Sequence, residues 1–231
     1  MNNTIKSNRV KAVLAAAVVA GGLATSAQAS IVQNGSFETG VTGNIAGLNN
    51  GAMFSDLNTT GPSWDRWRHI DGWSTVVGAG IEIQSNRTLS TIDAHSGNHY
   101  VELDSNNNSH MAQDVFLSVG SYVLSFWYSP RTNDPATNGI EYALGMLAGG
   151  KVKNGVPVGA TVGNWVEITN TFMVHQAGTY NLKFAAVGTN DTLGGLLDDI
   201  AIAPVPLPAA GFGLMAALGG LAALRRRRRK A

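Results

Sequence analysis

The 231 residues contain no cysteine. Disulfides and thiolate metal sites are therefore excluded. An exported fold without disulfides must be held by its core, with or without a metal ion. Catalytic signatures are also missing: there is no G-x-S-x-G and no H-E-x-x-H. Between residues 30 and 203 no segment sustains a 3.6-residue period over helix length. No apolar run reaches the roughly 20 residues that span a bilayer comfortably.

Basic residues are scarce in the middle of the chain. Of the sixteen Lys and Arg, nine lie at the two ends: Lys6, Arg9 and Lys11, then Arg225 to Arg229 and Lys230. All fifteen acidic residues fall between Glu38 and Asp199, so the formal net charge of +1 hides a middle of −8. An acidic middle repels phosphates. This argues against nucleic acid or anionic lipid as its partner and permits divalent cations.

The ends have membrane logic. Residues 1–29 read as a signal peptide handled by the secretion translocon and signal peptidase. Three basic residues precede an apolar run at 12–24, and Ala27 and Ala29 supply an A-x-A cleavage site. A retained anchor is the alternative. At the other end, Pro204, Pro206 and Pro208 keep the backbone extended. Residues 209–224 carry no charge. As a transmembrane helix they reach about 24 Å, short of the ~30 Å hydrocarbon core. The arginine cluster that follows stays on the cytoplasmic side. The pattern is a stop-transfer signal with a proline-marked site just outside the membrane, or a permanent tail anchor.

The tail at 204–231 resembles the PEP-CTERM class of sorting signals in its VPLPA variant, carried by Val205, Pro206, Leu207, Pro208 and Ala209, the apolar segment and the terminal arginines. The resemblance implies a substrate of an exosortase in a diderm bacterium, often one that makes exopolysaccharide. It implies an inner-membrane intermediate and a mature protein at the cell surface or outside the cell.

Between the ends the period is two. Tyr122, Leu124, Phe126 and Tyr128 alternate with Ser121, Val123, Ser125 and Trp127. Similar alternation runs through residues 165–174 and 178–187. Further strands are expected at 31–33, 81–84, 99–104, 111–117, 140–147 and 196–203, with Gly- and Asn-rich turns between them. Eight or nine strands in one domain (30–203) predict an all-β, two-sheet jelly-roll sandwich. Residues 39–65 read as a long loop. The strings NGSFETG (34–40), GW (72–73), SGNHYVELDS (96–105), YVLSFWYSPR (122–131) and LLDDIAI (196–202) resemble the galactose-binding-like jelly rolls, which include families of carbohydrate-binding modules.

That resemblance implies a structural Ca²⁺ clamping the first and last strands, with Glu38, Asp198 and Asp199 as ligands. Two adjacent aspartates repel unless a cation or donors offset them, and Ca²⁺ takes six to eight oxygens. The alternative is one solvated aspartate and one bonded to a turn. For polysaccharide, the candidates are Trp64 and Trp67 as stacking platforms with Arg66 and Arg68 among them, and Arg131 on a loop rim. Capping of the sandwich by the same residues is the competing reading, and Trp73, Trp127 and Trp165 read as packing residues. Glu102 and Asp104 share a strand face and read as solvent-facing or ion-binding. A glycan hydrolase would instead show two carboxylates facing each other across a cleft, roughly 5–10 Å apart. The expected function is a non-catalytic binding module for polysaccharide, with a purely structural or adhesive matrix protein as the alternative.

Overall fold

The computed structural model describes residues 31–40, 45–57, 63–86, 88–89 and 91–205. The expected signal peptide and the segment from Pro206 through the arginine tail lie outside the described residues. Of the sorting motif only Val205 is described, its N–H donating to the Ser121 carbonyl at 2.8 Å. Among the described residues no helix is long and apolar enough to cross a membrane.

Among the described residues twelve strands follow in chain order. They are β1 (Trp64–Trp67), β2 (His69–Ile70), β3 (Trp73–Val77), β4 (Ile81–Ser85), β5 (His99–Glu102) and β6 (His110–Leu117), then β7 (Gly120–Ser129), β8 (Gly139–Leu144), β9 (Ala148–Val152), β10 (Val166–Val174), β11 (Gly178–Val187) and β12 (Leu196–Pro204). They form two six-stranded antiparallel sheets. One has the order β1-β4-β5-β12-β7-β10, the other β2-β3-β6-β11-β8-β9. From β5 onward every connection but β8–β9 changes sheet. This alternation is that of a jelly roll.

The period-two strands behave as their sequences require. In β7 the residues Tyr122, Leu124, Phe126 and Tyr128 point into the core, while Ser121, Val123, Ser125 and Trp127 are half-buried on the outer face. Ile168, Phe172, Leu182, Phe184 and Ala186 meet them from β10 and β11. Trp67, Trp73 and Phe37 fill one end, with the Phe37 and Trp73 rings 6.1 Å apart.

Several expectations need correction. Residues 31–33 form no strand, although the Ile31 N–H reaches the Ile202 carbonyl at 3.3 Å and closes the first segment on the last. β9 falls in a glycine-rich stretch that reads as a turn. It forms because β8 offers a complete register of partners from Ile140↔Val152 to Leu144↔Ala148. Strands β1, β2 and β3 occupy the Trp-rich segment, which reads from sequence as a ligand cluster. Residues 49–52 of the long loop ahead of it are held by one side chain. Asp65, fully buried, accepts backbone N–H bonds from Asn49 (2.8 Å), Asn50 (3.0 Å), Ala52 (2.8 Å) and Arg66 (2.7 Å).

One feature of the fold positions the site. The outer face of the first sheet is not solvated in the usual way. Tyr100 and Leu196 on that face are covered by Ile92, with Leu89, Ala94, Val162 and Trp165 packed around them. These come from the 86–98 and 157–165 connections, which fold over β5 and β12. The cover leaves the β1–β4–β5 side of the face as a polar recess.

Candidate functional site

Register places the floor of the recess. Arg66 pairs with Glu82 and Glu82 with Glu102, so these three form one row across β1, β4 and β5. Trp64 pairs with Gln84 in the next row on the same face. Ile81, Ile83 and Val101 alternate with them and enter the core. Three polar residues in a buried floor must satisfy one another. The Gln84 amide nitrogen donates to Glu82 Oε1 at 2.7 Å and also to Glu102 Oε2. The Ser105 hydroxyl donates to Glu82 Oε2. The Gly194 N–H donates to Glu102 Oε1 at 2.6 Å, and Arg131 Nη1 pairs with Glu102 Oε2. Arg131 also donates to the Thr192 carbonyl at 3.0 Å, tying the 130–138 loop to the start of β12.

Burial sets the electrostatics. It pushes the Glu102 carboxyl well above the ordinary carboxylate range, with the Arg131 guanidinium pulling it back. Burial likewise raises Glu82, against the bonds from Ser105 and Gln84 and the charges of Arg131 and Arg66. Two polar atoms in these rows are left over, Arg66 Nε and Gln84 Oε1. Gln84 is fully buried, its nitrogen is fixed between two carboxylates, and its oxygen has no hydrogen-bond partner. A buried acceptor without a donor costs about 1–3 kcal/mol.

The walls come from different elements. Trp64 stands on β1, Thr88 on the connection after β4, and Ser105 and Asn106 after β5. Arg131 and Thr192 close the side next to the covered face. The volume of the recess is about 350 Å³, in the range of small-molecule sites. Trp64 is half-buried and lines the recess.

The five sequence candidates therefore separate. Trp64 and Arg131 line the recess. Arg66 lies in the same row as Glu82 and holds Asn49 Oδ1 at 2.9 Å, at its edge. Arg68 is elsewhere. It donates to the Gly78 carbonyl at 3.1 Å and borders a separate apolar cavity of about 260 Å³. Trp67 is 2 % exposed and donates its indole N–H to the Ile45 carbonyl at 2.9 Å, so it packs in the core and offers no platform. Glu82, Gln84, Ser105 and Thr88 were not singled out as binding residues. The signal was present in β4, whose polar positions recur every second residue. Glu102 and Asp104 are fully buried, not solvent-facing. Asp104 accepts the N–H groups of Asp191 (3.1 Å) and Thr192 (3.2 Å) and so anchors the far wall.

Glu82 and Glu102 lie within hydrogen-bond reach of one nitrogen, hence within roughly 6 Å of each other. The spacing matches that expected of a hydrolase, but the arrangement does not. They sit side by side on one floor, not across a cleft. All four of their oxygens already accept hydrogen bonds, and Glu102 has no exposed surface.

Glu38, Asp198 and Asp199 converge on one loop, as a clamp would, but through donors. Glu38 Oε1 accepts the N–H groups of Asn98 and His99, both at 2.8 Å, and Oε2 meets His99 Nδ1 at 3.0 Å. Asp198 accepts the Ser96 N–H at 3.1 Å and the Asp199 N–H at 2.7 Å. Asp199 holds His95 Nδ1 at 2.6 Å and the Ser96 hydroxyl at 2.7 Å. A left-handed Asp199 (φ 47°) and a bulge between Asp198 and Ala201 turn both carboxylates to the same side. Gly97 has φ +65°, and a Cβ there would lie 2.5 Å from Glu38 Oε1, so the loop tip needs glycine. Among the described residues no group of three or more His, Asp or Glu is arranged to hold a metal. Through these donors the three carboxylates latch the 95–99 loop. Chelation with EDTA is expected to leave the melting temperature unchanged within about one degree, while Glu38→Ala lowers it by several degrees. A drop on chelation, reversed by Ca²⁺, would restore the metal clamp.

No family model matches the chain, and no curated protein matches it. Solved structures do. The structure of TmCBM61 in complex with β-1,4-galactotriose has 18% identity, covers 77% of this chain and 100% of its own, and gives a TM-score of 0.47. The Family 16 Carbohydrate Binding Module-2 has 14% identity, 75% and 99% coverage, and a TM-score of 0.42. The CBM22-1 xylan-binding domain from Paenibacillus barcinonensis Xyn10C has 13% identity, 59% and 88% coverage, and a TM-score of 0.39. At these scores the likeness says nothing about which ligand binds here.

Proposed function

We propose that the protein is a non-catalytic polysaccharide-binding module exported to the cell surface, with the Trp64–Gln84–Glu82–Glu102–Arg131 recess as its sugar site. One observation carries this reading: Trp64 stands in one recess with the accessible polar side chains of Thr88, Asn106 and Arg131. Sugar hydroxyls bond to these polar walls, and the apolar face of a pyranose covers the indole ring. The buried carboxylates, Gln84 and Arg131 hold one another and fix the floor beneath. Solvation of both sugar and site is exchanged for a small number of fixed hydrogen bonds, so orientation is specified more strongly than affinity. The surface location rests on the sequence of the two ends: a signal peptide at 1–29 and a sorting tail from 204 that an exosortase would process.

A glycan array probed with residues 30–205 tests the binding claim. Trp64→Ala, which removes only the wall, is expected to weaken binding to any retained glycan by at least tenfold in calorimetry. Its melting temperature is expected to stay within a few degrees of the parent. Unchanged affinity in this variant, or no glycan bound at all, would remove the reading and leave a structural matrix protein.

A further inference from the structure

The shape of the recess bears on what part of a polysaccharide can enter it. Resting on the proposed sugar site, we infer that the recess takes a saccharide terminus, meaning a main-chain end, a side branch or a free short saccharide. It does not take the interior of a linear chain. A site that grips a chain mid-length needs a groove open at both ends. Here the sheet face is interrupted. Toward β12 the floor meets the apolar cover of Ile92, Tyr100 and Leu196, and that cover is fixed. Trp165 donates its indole N–H to the Asp93 carbonyl at 2.8 Å, and the Ala94 N–H binds Asn86 Oδ1 at 2.6 Å. The latch of Glu38, Asp198 and Asp199 holds the same connection down at its far end.

The two ends along the strands are bounded as well. Along the strands, Thr88 closes one end, bonded through its hydroxyl to the Ser63 carbonyl at the start of β1. Asn106 closes the opposite end and is tied to Asn49 at 3.3 Å. Arg131 is not a mobile rim residue: its bonds to Glu102 and to the Thr192 carbonyl make a bridge across the side facing β12. A volume of about 350 Å³ is near the lower bound for small-molecule pockets and suits about one or two sugar rings. A polymer interior would have to pass through a wall. A terminus need only enter from above.

The test counts ends. Soluble β-1,4-galactan, β-1,4-xylan and β-1,3-glucan are each offered before and after partial endo-cleavage, at equal mass, to the protein comprising residues 30–205. On a retained polymer, protein bound at saturation per gram is expected to rise in proportion to the number of new ends, about tenfold for a tenfold shorter chain. The di- or trisaccharide of that polymer is expected to compete as well, mole for mole, as the hexasaccharide. Enzymatic debranching of a retained branched sample separates the sources. Loss of capacity there assigns side branches, and retention assigns main-chain ends. Capacity that stays flat on cleavage, with affinity still climbing to the hexasaccharide, overturns the inference and leaves sugar binding intact. Retention that survives Trp64→Ala is not through this recess and also overturns it. Absence of retention on every polymer and oligosaccharide removes the sugar site itself, and the inference with it.

Discussion

Arg131→Met is expected to lower the melting temperature by on the order of 10 °C at pH 8. The change strands Glu102, which is fully buried and takes its only charge-compensating bond from Arg131 Nη1. Breaking one partner of a buried pair costs about 3–5 kcal/mol, and each kcal/mol moves a domain of this size by roughly 2–4 °C. Methionine retains much of the stem packing, so the loss reports the charge. Adding Glu102→Gln to Arg131→Met is expected to recover most of it, a coupling that a double-mutant cycle reads directly.

The pH dependence follows from the same group. Burial raises Glu102 and Glu82 in the folded state, and burial together with the neighbouring Asp199 raises Asp198 to about 8. A carboxyl whose folded pKa is raised stabilises fully below its unfolded pKa, and that contribution is lost as pH rises through the folded value. The protein is therefore expected to melt at a higher temperature at pH 5 than at pH 8. The Arg131→Met penalty is expected to shrink toward pH 5, because Glu102 takes up a proton instead of remaining an unpaired charge. Thermal melts across this range check both statements. A penalty independent of pH would mean that Glu102 is not the group left uncompensated.

The second large effect is expected at Asp65. Asp65→Ala removes the acceptor for four backbone N–H groups at once. Leaving buried donors unmade costs about 1–3 kcal/mol each, reduced here because the loop can swing out and bond to water. A net loss of about 3 kcal/mol is expected. Amide exchange at 49–52 should accelerate, while β7 and β11 stay protected. The loop carries Asn49, which joins Arg66 to Asn106 at the edge of the recess, so sugar binding should weaken modestly as well. Gly47 faces the Asp65 carboxylate so closely that a Cβ would lie 2.1 Å from its Cγ. Gly47→Ala is thus expected to reproduce the accelerated exchange with Asp65 in place. Unchanged exchange in Asp65→Ala would show that the loop is ordered by something else.

Asp65 also illustrates what a sequence shows and hides. In β1 the burial alternates, with Trp64 and Arg66 outward and Asp65 and Trp67 inward. The same two-residue rule that located β7, β10 and β11 would have separated Trp67 from Trp64, had the segment been read as a strand and not as an aromatic cluster. The latch was legible as a pairing of the first and last segments, but its chemistry was not. Nothing in the local pattern shows that the acceptors Glu38, Asp198 and Asp199 meet the donors of residues 95–99. The floor of the recess was hidden for a different reason. Glu82 and Gln84 are visible as polar positions of an alternating strand. Their junction with Glu102 depends on the register of β4 against β5. Their burial depends on walls that arrive from Thr88, Ser105, Asn106, Arg131 and Thr192. Neither relation has a local signature.

β12 begins beside the recess, where Gly194 and Thr192 meet Glu102 and Arg131. It ends at Pro204. At about 3.3 Å per residue the strand carries the chain some 26 Å before it leaves the sandwich. A tether attached beyond residue 205 would therefore leave from the end of the sandwich far from the recess. The recess would be held about that distance from whatever surface the tether is fixed to, clear of the steric shadow of its own anchor.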